Sequence, residues 1–114
     1  MSKELLTKIG TSFHADIYIA GDPTKIKHCC MDFVQRGLCV SLFPCEYIHT
    51  DGSESGYLVR LINYPRFPKG EIEIEKSAID LAIELIEACG QLSASVVCHP
   101  SGITTFIYDE EKER

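Results

Sequence analysis

Gly56-Tyr-Leu-Val-Arg-Leu-Ile-Asn-Tyr-Pro-Arg-Phe-Pro68 changes character halfway along. Residues 57–64 alternate as a strand does, with Arg60, Ile62 and Tyr64 on one face and Leu61 and Asn63 on the other. Pro65 and Pro68 then bracket Arg66 and Phe67. Proline supplies no backbone donor and holds φ at about −65°, so the chain must leave the sheet here along a fixed, extended course. A strand that ends in a rigid link needs partners on either side, and the sequence supplies them.

Before it, residues 38–47 read as a strand broken by Pro44, which suits an edge or a bulge. The polar run 50–56 reads as a hairpin loop. Earlier still, Phe13, Ala15, Ile17 and Ile19 alternate as the apolar face of a first strand. Gly21-Asp-Pro23 combines a turn, an N-cap and a proline at the first helical position. Ile26, Cys29, Cys30, Phe33 and Val34 follow at helical spacing, and the helix stops at Arg36-Gly37. After the rigid link, residues 74–89 form a second helix with Ala78, Leu81, Ala82, Leu85, Ile86 and Cys89 inward. Residues 92–98 and 103–108 are two further strands joined by a tight turn.

The order is β-α-β-β-α-β-β. It predicts an α+β, ferredoxin-like antiparallel sheet of five strands with two helices on one face. One domain spans 1–114, with the arm 1–11 and the acidic tail 109–114 expected to be flexible. Val96 and Val97 are adjacent, as are Phe106 and Ile107, and Leu58 and Ile62 oppose Val59 and Leu61. Two helices cover one face only, so a homo-oligomer is expected to cover the other.

The net charge of −6 excludes generic binding to long nucleic acid, which depends on phosphate neutralisation by Lys and Arg. No apolar run approaches the length of a membrane helix, and no secretory signal opens the chain, so a cytoplasmic location is expected. Six cysteines without a CxxC then read as reduced thiols, with no metal and no cofactor.

Catalytic patterns are sparse. His14, Asp16 and His28 have no marked serine nucleophile to serve. Cys98 and His99 are neighbours on a strand and point to opposite faces. His99-Pro-Ser101 supplies half of a two-histidine phosphoesterase, and His49-Thr-Asp51 does not supply the other half. The amides at the start of the first helix are already served by Asp22. The strongest group is Arg60, Asn63, Tyr64, Arg66 and Phe67. Rings stack on a base, arginine forks grip phosphate and asparagine reads an amide edge, which together suit one small nucleotide ligand.

By size, element order and the runs Ile17-Tyr-Ile-Ala-Gly-Asp22, Arg36-Gly-Leu-Cys-Val40 and Leu61-Ile-Asn-Tyr-Pro-Arg-Phe-Pro68, the chain resembles the first type of phage Thoeris anti-defence sponge. The resemblance implies an oligomeric, non-enzymatic phage protein that traps a cyclic ADP-ribose-type signal and so blocks host defence. The alternative is a small phage protein that inhibits or scaffolds a host protein by direct contact.

Overall fold

The computed structural model describes residues 4–66 and 68–111. In chain order it forms β1 (His14–Ala20), α1 (Pro23–Phe33), a single 3₁₀ turn (Val34–Arg36), β2 (Val40–His49), β3 (Gly52–Ile62), α2 (Glu71–Cys89), β4 (Ser93–His99) and β5 (Thr104–Tyr108). The strands make one antiparallel sheet in the order β2-β3-β1-β4-β5. This is the expected ferredoxin-like arrangement, with β5 added outside β4.

The helix ends follow from local chemistry. The Asp22 carboxylate accepts a hydrogen bond from the Thr24 amide at 2.8 Å, and Pro23 occupies the first helical position, where its missing N–H costs nothing. Gly37 and Gly90 close the 3₁₀ turn and α2 at φ of 89° and 64°, a left-handed conformation that favours glycine.

Both helices lie on one face of the sheet. Ala15, Ile17 and Ile19 of β1, Tyr57, Val59 and Leu61 of β3, and Ala94, Val96 and Cys98 of β4 meet Ile26, Cys30 and Phe33 of α1 and Ala78, Leu81, Ala82 and Leu85 of α2. The core is apolar throughout, so its stability comes from burial and close packing.

The hairpin corrects one expectation. Residues 50–56 are not all loop: the turn is Thr50-Asp51, and β3 begins at Gly52, opposite His49. Ser53, Glu54 and Ser55 are polar because this end of the β2–β3 ribbon is exposed on both faces. β3 also ends earlier than expected, at Ile62, so Tyr64 lies beyond the strand. Pro44 sits in β2, an edge strand, opposite Tyr57. The Gly21 amide donates to the Ser55 carbonyl and the Asn63 amide to the Phe13 carbonyl, so the odd-numbered residues of β3 bond toward β1. Tyr57 therefore has no ladder bond to offer β2, and the nitrogen of Pro44 faces outward, where no donor is missed.

Residues 4–13 carry no regular secondary structure, and Leu5, Leu6 and Ile9 are exposed on them. No helix among the described residues is long and apolar enough to cross a membrane. The six cysteines are free thiols. Burial pushes the Cys30 thiol up to about 12, which makes it an inert core group.

Candidate functional site

The face of the sheet opposite the helices carries a cleft and a buried ion pair. Strand register sets its layout, because residues paired across strands share a face. Tyr18 pairs with Ser95 on one side and Leu58 on the other, Tyr47 pairs with Glu54, and Cys45 pairs with Gly56. Gly56 is required here: a Cβ at this position would overlap the Ile19 carbonyl oxygen. The bare backbone lets the Tyr47 hydroxyl reach in and donate to the Tyr57 carbonyl at 2.6 Å. Burial, with Cys45 nearby, raises the pKa of this phenol and keeps it protonated.

Around these groups lies a cleft of about 480 Å³. Tyr18, Tyr47 and Glu54 form one side, and Gln91, Ser93 and Ser95, from β4 and the turn before it, form the other. Two aromatic rings, a carboxylate, an amide and two hydroxyls converge on a space the size of a small ligand. Such a set can stack a base, bond ribose hydroxyls and stabilise a positive centre.

Two residues further along β1 lies a second polar group. The Arg60 guanidinium grips Asp16 through both arms of its fork, Nε to Oδ1 at 2.7 Å and Nη2 to Oδ2 at 3.0 Å. Asp16 is 3% exposed, whereas the Arg60 side chain keeps 36% of its surface in solvent and its Cζ lies 5.3 Å from the centre of the Phe43 ring. The rings of His14 and His99, a registered pair on β1 and β4, stack with centroids 4.7 Å apart. His14 Nε2 lies 3.9 Å from Asp16 Oδ2. Burial lowers the His14 pKa; Asp16 opposes this, and Arg60 and His99 add to it. The potential donor atoms of His14, Asp16 and His99 fall within 4.8 Å of one another, close enough to consider a metal, although the Arg60 fork already engages both Asp16 oxygens.

Among the described residues, those singled out by sequence lie in different places. Arg60 faces the open side, on Asp16. Asn63 lies past the end of β3 and uses both ends of its amide on backbone: Nδ2 donates to the Thr11 carbonyl and Oδ1 accepts from the Lys69 amide, each at 2.9 Å. It braces the rigid link against the N-terminal arm. Tyr64 is half-buried and Arg66 is exposed in the turn that follows. Phe67 lies outside the described residues. Sequence reasoning missed the Tyr18–Tyr47–Glu54 cleft altogether. The available signal was the alternation of His14, Asp16 and Tyr18 on the polar side of β1.

No family model and no curated protein matches the sequence. The fold is that of solved phage SAM lyases. A phage SAM lyase in its apo state aligns with a TM-score of 0.73 at 18% identity, covering 94% of this chain and 98% of that one. A phage SAM lyase in complex with S-methyl-5'-thioadenosine aligns with a TM-score of 0.60, again at 18% identity and over 94% and 98% of the two chains. These neighbours correct the expectation that the chain is not an enzyme, because the fold is one on which named lyases are built. They agree with the expectation of a phage protein's fold and, in the second structure, of a small nucleotide-like ligand.

Proposed function

We propose that the protein is a lyase that cleaves S-adenosylmethionine and releases S-methyl-5'-thioadenosine. One observation carries this reading: in a fold shared with SAM lyases, a ligand-sized cleft combines Tyr18 and Tyr47 with the carboxylate of Glu54. The substrate is a nucleoside joined to a sulfonium cation. Aromatic faces and a carboxylate attract that cation, while the net charge of −6 favours its approach. Gln91, Ser93 and Ser95 offer partners to the base and ribose.

The bond to break joins sulfur to the four-carbon amino-acid chain. Its electron pair goes to sulfur, which becomes a neutral thioether, and the positive charge moves onto the carbon fragment. No water is added in a lyase reaction, so the fragment closes on its own nucleophile or sheds a proton. The Glu54 carboxylate draws the cation into the cleft, and the Tyr18 ring stabilises the positive charge at sulfur. Tyr47, anchored by its bond to the Tyr57 carbonyl, fixes the cleft floor.

Consumption of the methyl donor in the cytoplasm of an infected host would disarm defences that depend on methylation, which retains an anti-defence role. A second copy of the chain covers the exposed Phe43, Phe106 and Tyr108 on the open face, the last two of which stack at 5.3 Å. Light scattering is expected to report an oligomer at micromolar concentration. The activity test is direct. Incubation with S-adenosylmethionine, followed by chromatography and mass detection, is expected to yield S-methyl-5'-thioadenosine in proportion to enzyme, and Glu54→Gln is expected to suppress it. Intact substrate after prolonged incubation with the wild-type protein would exclude the reading.

A further inference from the structure

The cleft receives a nucleoside, but the proposed substrate has another end, and the group built on Asp16 lies in line to meet it. Tyr18 lines the cleft, and Asp16 and His14 follow on the same face of β1. Each step of two residues along a strand advances about 7 Å. From the substrate's sulfur to its carboxylate carbon there are four bonds, a reach of about 5 Å. A ligand with its sulfur between Tyr18 and Asp16 and its chain directed along β1 brings its amino-acid end within reach of Arg60, which pairs with Asp16.

We propose that Arg60, His14 and His99 form a separate subsite for a zwitterionic α-amino acid group, the carboxylate on the arginine and the ammonium on the imidazoles. The proposal rests on the lyase reading and assigns the half of the substrate that the cleft leaves unassigned.

Arg60 is suited to this by how it is held. A guanidinium carries five N–H groups, and Asp16 takes two of them. The buried carboxylate orients the fork, so no side-chain freedom is lost when a second carboxylate arrives. The guanidinium remains one-third exposed while its anchor is sealed. Phe43 supports it from one side. A free arginine at the surface would have none of this preorganisation. His14, held in its neutral form by burial, presents an acceptor to an ammonium group. His99 stacks on it from the next strand and is itself exposed.

Two ligands isolate the subsite. S-adenosylhomocysteine and S-methyl-5'-thioadenosine are both neutral thioethers of the same nucleoside, so neither is cleaved, and only the first carries the amino-acid end. Titration calorimetry on the wild-type protein is expected to show S-adenosylhomocysteine binding about tenfold or more tightly, the scale of a charge-assisted contact. Arg60→Lys keeps a cation beside Asp16 but loses the fork. It is expected to bring the ratio of the two affinities close to one while S-methyl-5'-thioadenosine binds within about twofold of its wild-type affinity. His99→Ala, at an exposed position, is expected to reduce the same ratio and serves if the lysine variant does not fold. Equal affinities in the wild-type protein, or variants that weaken both ligands alike, would overturn the subsite and leave the nucleoside cleft standing. Failure of both nucleosides to bind would overturn the lyase reading, and the subsite with it.

Discussion

β1 separates two environments one residue apart. Ile17 faces the helices in the apolar core and is sealed; Asp16 and Tyr18 on either side of it face away from the helices, one buried under an ion pair and the other part-exposed in a cleft. The helix face is sealed by non-directional packing, which tolerates changes of shape if volume is kept. The open face holds Asp16 by charge and geometry, which tolerate almost no change in one partner alone. Apolar packing and charge pairing are thus divided between the two sides of one strand.

Substitutions on the two sides test that division. The largest loss is expected on the sealed side. Leu81→Ala opens a cavity in a fully buried site and should cost about 3–4 kcal/mol, read as a lower urea midpoint at unchanged slope. Arg60→Ala comes next. It strands the Asp16 carboxylate, and after discounting for the solvent already at Arg60 the cost is about 2–3 kcal/mol. Adding Asp16→Asn should restore most of that loss in the double variant. If the two substitutions simply add, the open face is not organised by this pair.

Tyr18→Ala is expected to lower affinity for S-methyl-5'-thioadenosine by about tenfold, through loss of a stacking face, while changing stability by under about 1 kcal/mol. Calorimetry and urea titration on the same sample separate the two effects. The smallest effect concerns pH. The His14 pKa is lowered on folding, so the folded state disfavours the proton that the unfolded chain accepts near 6.5. Its contribution is intact above that value and is lost as pH falls through it toward the lowered folded value. His14→Gln should flatten that part of the stability profile between pH 7 and the acid side. An unchanged slope would mean that His14 titrates as an exposed group.

The fold was legible because the sealed face is written in simple periods: Ile17 and Ile19 at a spacing of two, Ala78, Leu81, Ala82 and Leu85 at three and four. The hairpin was not, since its exposed end has no apolar side for alternation to mark, and Ser53-Glu-Ser55 looks like a loop by composition. The cleft was illegible for a different reason. Tyr18, Tyr47 and Ser95 come together only through register across four strands, and no local pattern reports that. Arg60 was singled out from its place on the strand, but its partner Asp16 is 44 positions away. The rigid link drew attention to Asn63, whose amide turns out to tie loop to arm.

Pro44 has a consequence for behaviour in concentrated solution. Its nitrogen lies on the outer margin of β2, halfway along a ten-residue strand. An unbroken margin of that length would invite another molecule to add its own strand, and then a third, in the manner of a growing fibril. The proline interrupts that template at its centre without cost to the sheet inside. A strand added at the edge of the molecule farthest from β5 would find no donor at the centre of that margin, a gap made by the absence of a single hydrogen atom.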